Sequence, residues 1–305
     1  MAITNTKIFG KHLDGDVARI FFDGYTQLES EFDKIAKVFQ APPGNHYREA
    51  ELSNLGSLVD LPEGAGVQFD IPQEGHDKTL YYNQYGLGFQ ITRIMMKDDL
   101  QRNFEKMPAK LAKSAGYKRD TVFFDLLNSG FSAQTAWDSA AIFHTSSHTT
   151  MKSGTTISNC PSAGTSLSET SLQAAFEYYD TLVDEAGLPL DFTGPKKLVV
   201  PKELRFQSYR IMGTPQKTGS ANNDLNAMAI SNDYVDYTLH VSRFLTSNKA
   251  WFLLSPAHDL RFYWKEEAGM ESADDFYTGN ALFKVVMRFG VGCFDYKGGY
   301  GNPGA

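Results

Sequence analysis

Hydrophobic and polar positions change period along this chain, and the changes mark out its elements. Leu87, Phe89 and Ile91 alternate with Gly88, Gln90 and Thr92, the period of a half-buried strand. After Asp98 and Asp99, whose carboxylates suit a helix N-terminus, Leu100, Phe104, Met107 and Leu111 recur at the three-and-four spacing of one helical face. The pattern predicts a helix from Leu100 to Leu127, ~40 Å long at 1.5 Å per residue, a strut longer than an ordinary compact domain needs. Pro108 conflicts with it: proline is tolerated in a first turn and costs ~3 kcal/mol in a helix interior, so it should kink or restart the helix.

Leu28, Phe32, Ile35 and Phe39 also stand at helical spacing and predict an amphipathic helix that ends at Pro42, Pro43 and Gly44. From Tyr47 to Ile94 the chain reads as a long two-stranded excursion, its short alternating runs broken by Pro62, Gly64, Gly66, Pro72 and Gly75. Such a hairpin is marginal alone and should rest on something else, such as a neighbouring subunit, contributing to assembly more than to folding.

Residues 132–166, rich in Ser, Thr and Gly, read as an irregular loop. Ser166 and Glu169 then match a capping box, Leu172, Phe176, Tyr179 and Val183 form the apolar face of a helix, and Gly187 and Pro189 close it. "KKLVVP" (Lys196 to Pro201) is a short buried strand, and Pro201 suits the start of a helix through Met212. Residues 213–233 read as an exposed loop. "AWFLLS", "DLRFYWKE" and "ALFKVVMRFGVGCFDY" carry strand patterns, and "KGGYGNPGA" reads as a flexible tail. The order of elements is that of an α+β protein.

Composition narrows the class. With 42% hydrophobic and 21% charged residues the chain can bury a core. Cys160 and Cys293 are too few for a disulfide framework, and neither a signal peptide nor a run of ~18 apolar residues is evident, so a soluble protein of a reducing compartment is expected, without a membrane. The net charge of −7 argues against wrapping nucleic acid with the whole surface. Locally, seven bases (Lys97, Arg102, Lys106, Lys110, Lys113, Lys118, Arg119) stand against four acids between Lys97 and Asp120. That stretch is either a solvated helix face or a basic strip for phosphates.

Catalytic motifs are weak. His144 and His148 would share a helical face, but "FHTSSHTT" is a poor helix and lacks the glutamate of H-E-x-x-H; a metal-dependent hydrolase built on the pair would need a third ligand. "GTPQKTGS" lacks the lysine that should directly follow the second glycine of a phosphate loop. Asp98-Asp99 and Asp274-Asp275 suit caps or turns better than dyads. No catalytic, cofactor-binding or metal site is expected, and no cofactor.

The order of parts, with "GFQITRIMMKDDL" before the long helix, "AWDSAAIFHTSSHT" after it and "GPKKLVVPKEL" beyond, resembles the major capsid proteins of tailed double-stranded DNA phages, the Hong Kong 97-type fold, and most closely its Mu-like major head subunit branch. The resemblance implies an N-terminal arm (1–46), an extended loop (47–92) lying on an adjacent subunit, a peripheral domain (93–132 and 258–305) containing the spine helix, and an axial domain (133–257). It implies a virion protein, assembled in the host cytoplasm into hexamers and pentamers of an icosahedral shell. Its partners would be itself, a portal, scaffold, protease or decoration proteins, and packaged DNA without sequence specificity. Encapsulin-type nanocompartments share the fold and enclose protein cargo instead. Some members of the fold weld subunits by a lysine–asparagine isopeptide bond with a glutamate as base. Here Lys78 and Asn280 fall near those places, but the glutamate's place falls near Met287 and no acid lies between Asn280 and Asp295. The cross-link is therefore not expected, and Lys78 and Asn280 are expected to be ordinary surface or interface residues.

Overall fold

The computed structural model describes residues 17–92, 94–95, 106–146, 148–150, 152–192, 194–216, 224–229 and 237–305. Within these the chain forms two compact units, one from 1–47, 81–123 and 262–291 and the other from 48–80, 124–261 and 292–305.

The first unit is built on a four-stranded sheet of order β1-β10-β11-β4: β1 (Lys37–Gln40), β10 (Leu260–Asp274), β11 (Ala281–Cys293) and β4 (Asn83–Ile91). β11 and β4 run antiparallel, with Phe283 opposite Phe89 and Val285 opposite Leu87. The predicted alternation of Leu87, Phe89 and Ile91 is thus a strand, and Ile91 is buried while Leu87 is exposed. Phe32, Phe262 and Phe289 stack in series, with centroids 4.4 and 4.8 Å apart, and Phe123 of the long helix closes on Phe32 at 6.0 Å.

The long helix, Met107–Asn128, has 22 residues, ~33 Å at 1.5 Å per residue. Pro108 sits in its first turn, where the missing N–H costs nothing. Asp98, Asp99, Leu100 and Phe104 lie outside the described residues. A helix at 17–26 packs on the long one through small residues: a Cβ on Gly24 would lie 3.5 Å from the Cβ of Ala112. The amphipathic helix expected over Leu28–Phe39 does not form. Phe32 and Ile35 are buried by a single 3-10 turn, Phe32–Lys34, and Phe39 is an exposed residue of β1. Residues three apart share a face in a 3-10 turn too, so the spacing of two residues was misread as a longer period.

The second unit holds a four-stranded sheet of order β12-β9-β7-β8, from β7 (Lys196–Pro201), β8 (Tyr237–Ser242), β9 (Trp251–Leu254) and β12 (Gly299–Asn302). β7 is the predicted buried strand and pairs parallel to β8; the helix Arg205–Gly213 lies in the connection between them, as a parallel pair requires a crossover. The helix Glu169–Thr181 lays Leu172, Phe176 and Tyr179 into the core with Leu198, Val200, Trp251 and Leu253. Its cap is Ser168 with Ser171, two residues beyond the expected Ser166 and Glu169, and it ends at Thr181, before Gly187. A serine at N3 closes the box as a glutamate would, which the S-x-x-E pattern does not find.

The expected flexible tail is the largest correction. Gly299–Asn302 is the buried edge strand β12, antiparallel to β9. The glycines here are for close approach: a Cβ on Gly301 of β12 would lie 2.5 Å from Cγ of Phe143, and one on Gly298, just before the strand, 2.3 Å from Cα of His258. Asn159, fully buried, ties the strand down by donating to the carbonyls of Gly299 and Ile142.

Candidate functional site

Within the second unit, β2 (His46–Leu52) and β3 (Glu74–Tyr81) form a two-stranded sheet of their own. Their connection, 53–73, gathers seven exposed large apolar residues, Leu55, Leu58, Val59, Leu61, Val67, Phe69 and Ile71, with Leu58 99% and Phe69 91% exposed. Exposure of that extent on consecutive residues marks a contact surface. The loop has a defined root. Ser53 N donates to Gln73 O, Gln73 N donates back to Ser53 Oγ, and Asp70 accepts from Gly56 N at 2.7 Å and from Lys152 Nζ at 2.5 Å.

The strands beneath are bound to the rest of this unit by charge. Glu49 pairs with Arg261, which also binds Asp259 at 2.5 Å and lies over the Phe294 ring. Glu51 faces Lys297, which is bonded to Glu185, and Asn54 Nδ2 donates to Asp184 at 3.1 Å. Lys78 of β3 donates to the carbonyls of Thr135 and Cys293. It is therefore an internal tether and not an ordinary surface residue. Burial holds its ammonium below the ordinary lysine range, opposed by Cys293 and Asp138. Asn280 lies in the turn between β10 and β11, its carbonyl accepting from Asp275 N, and Met287 is buried in β11. Asp275 caps the same turn through Tyr277 N and Thr278 Oγ1.

His148 is fully buried, stacked on Tyr296 at 3.8 Å, with its Nδ1 2.6 Å from Asp138 Oδ2. The His144 and His148 rings are 6.5 Å apart and perpendicular, and His148 lies on β5 (His148–Thr149), which pairs antiparallel with β6 (Thr156–Ile157), and not on a helix. Among the described residues no three His, Cys, Asp or Glu converge as a metal site. Cys160 and Cys293 are free and buried.

Of the basic stretch, Lys110, Lys113 and Lys118 are exposed on the long helix and Lys106 is exposed just before it, and Lys118 lies over the Tyr85 ring. Arg119 departs from the expectation. It is buried, donates to Tyr25 Oη at 2.9 Å and covers the Phe32 ring, so it belongs to the core of the first unit. Lys97 and Arg102, like residues 217–220 of "GTPQKTGS", lie outside the described residues.

Glu49, Glu51, Glu185, Arg261 and Lys297 carry no motif and were missed in the sequence. Their partners are far apart along the chain, and single buried charges leave no periodic signal.

A family model described as phage capsid protein matches residues 83–302. No curated protein matches the sequence. Among solved structures, the capsid of the cyanophage P-SCSP1u superposes with a TM-score of 0.60 at 10% identity, covering 90% of this chain and 87% of that one. The capsid of a native GTA particle also gives 0.60 at 10% identity, covering 90% of each chain. The procapsid of bacteriophage JBD30 gives 0.55 at 14% identity, covering 98% of this chain and 76% of that one. At these identities the likeness is one of fold, and the fold is the Hong Kong 97-type α+β fold.

Proposed function

Because the chain belongs to the phage capsid protein family, we propose that it is the major capsid subunit of a tailed double-stranded DNA phage, self-assembling into hexamers and pentamers of an icosahedral shell. The observation that carries this reading is the apolar loop 53–73: too exposed to serve one chain, it fits an obligate interface between copies. In this reading 1–46 is the N-terminal arm, 47–92 the extended loop, 93–132 with 258–305 the peripheral domain and 133–257 the axial domain. The phrases "GFQITRIMMKDDL" and "AWDSAAIFHTSSHT" support the Mu-like branch. Assembly takes place in the host cytoplasm with a portal, and with scaffold, protease or decoration proteins where the phage supplies them. Lys106, Lys110 and Lys113 face packaged DNA and meet its phosphates without reading sequence.

The test is electron microscopy of the purified full-length chain, with nucleic acid content measured on particles from infected or induced cells. Closed shells holding DNA are expected. Purified chain that forms no particles under any salt or crowding condition overturns the reading, and shells holding protein cargo in place of DNA replace it with a nanocompartment.

A further inference from the structure

At the root of the β2–β3 hairpin, two buried carboxyls share one ammonium. Glu51 of β2 and Glu185 of the 182–190 turn are 6% and 4% exposed, and Lys297, 7% exposed, stands at both. Its Nζ donates to Glu185 Oε1 and lies 3.9 Å from Glu51 Oε1. Were both carboxyls ionised, one negative charge would be left away from water. The cluster avoids this when one of the two carboxyls carries a proton, which leaves Lys297 a single carboxylate to neutralise.

The other charged and titratable groups facing Glu51 come from three elements. His76 of β3 has Nδ1 3.9 Å from Glu51 Oε2. Asp184, on the Glu185 turn, is occupied by Asn54 and by the N–H groups of Ala186 and Leu188. Asp295 and Tyr296 lie on the Lys297 segment, Asp295 accepting from Lys297 N.

We propose that Glu51, Glu185 and Lys297 form a proton-gated latch: with the shared proton in place the root of the hairpin is held on its own body, and when the proton leaves, repulsion between the two carboxylates loosens it. The direction follows from linkage. Burial, then the charge of Glu185, pushes Glu51 up to about 7 from 4.5, with Lys297 pulling the other way. Once lifted into water, Glu51 returns to its ordinary value. The docked hairpin therefore binds this proton more tightly than the lifted one, so the latch's contribution to docking is full below pH 4.5, is lost as pH rises through 4.5–7, and is level above that. Lys297 stays charged throughout, because Asp295, Glu185 and Glu51 together more than offset its burial and hold it above the ordinary lysine range.

The latch rests on the geometry of one chain; that a loosened hairpin then serves a neighbouring subunit rests on the capsid reading. Hydrogen–deuterium exchange of the full-length chain, followed on peptides covering 48–54 and 74–80 and corrected for intrinsic rates, tests it between pH 4.5 and 8. Wild type should show opening that increases on the order of 10²-fold across the window, and Glu51→Gln should hold it level within roughly 3-fold. Glu185→Gln should do the same, since either change leaves a single carboxylate for Lys297, and it stands in if Glu51→Gln does not fold. His76→Gln should keep the wild-type response. A level response in wild type, or a Glu51→Gln chain that follows wild type, overturns the latch. Micrographs of the same samples separate the two readings: the exchange response without shells leaves the latch and sinks the capsid assignment, whereas shells with a level response do the reverse.

Discussion

The chain contains two long hairpins that solve the same problem in different ways. In β10–β11 the sheet continues on both sides into β1 and β4, and the inward residues Phe262, Phe283, Val285, Met287 and Phe289 are all buried. That hairpin is held by an apolar face, each pair of rings adding to the next. Among the described residues β2–β3 has no flanking strand; Leu80 at the end of β3 is buried, but most of the hairpin's large apolar residues sit in the exposed loop, and its strands and loop are tied down by discrete polar contacts from Glu49, Glu51, Asn54 and Lys78. Distributed apolar burial is cooperative and hard to undo in part. A few charge ties can be released one at a time, which suits an element that must change its contacts.

The sharpest way to break this contrast is in the first hairpin. Phe289→Ala removes a ring packed on Phe262 and Trp264, and it should lower the stability of the unassembled chain by about 3–5 kcal/mol in denaturant titration. A loss under 1 kcal/mol would mean that the apolar face is not what holds β10–β11. Arg261→Ala takes the guanidinium away from Glu49 and Asp259, and a loss of about 2–3 kcal/mol is expected, with exchange protection falling first over 48–52. Uniform loss of protection would show that β2–β3 does not open separately. In the loop, Leu58→Ser with Phe69→Ser should change subunit stability by no more than about 0.5 kcal/mol and yet prevent shells from closing; normal shells would remove the loop from the interface. A cut from Gly64 through Lys78 would take most of β3 with it, so a deletion meant to isolate the tip belongs within 57–69. Away from both hairpins, reversing Lys106, Lys110 and Lys113 to Glu should leave stability and empty shells unchanged while lowering the heat stability of filled particles. An unchanged value there would dismiss the DNA-facing role. The smallest effect is none: boiled, reduced particles should run as a single band near 34.0 kDa, and a covalent ladder would show that Lys78 leaves its carbonyls to cross-link.

The same contrast explains what the sequence revealed. Leu87, Phe89 and Ile91, "KKLVVP" and the long helix were legible because each pattern repeats several times at one period, and repetition survives local exceptions such as Pro108. Leu28 to Phe39 failed because two buried residues are too few to tell a 3-10 turn from a helix. "KGGYGNPGA" failed for another reason: composition cannot distinguish a glycine that frees the chain from one that admits Phe143 against it. The latch was invisible because Glu51, Glu185 and Lys297 are brought together only by the tertiary fold, and an isolated buried acid has the same letter as a solvated one.

The pairing of β4 with β11 sets a schedule for synthesis. Phe89 and Phe283 lie opposite each other in the sheet though they stand about 190 residues apart, so at 5–20 residues per second β4 emerges roughly 10–40 s before its partner exists. During that interval Leu87, Phe89 and Ile91 have an open strand edge and no sheet to join, and a cell making many copies at once crowds such edges together. The yield of usable subunit should therefore depend on translation speed and on chaperones that shield strands, a dependence set by the order of the strands and separate from how stable the finished subunit is.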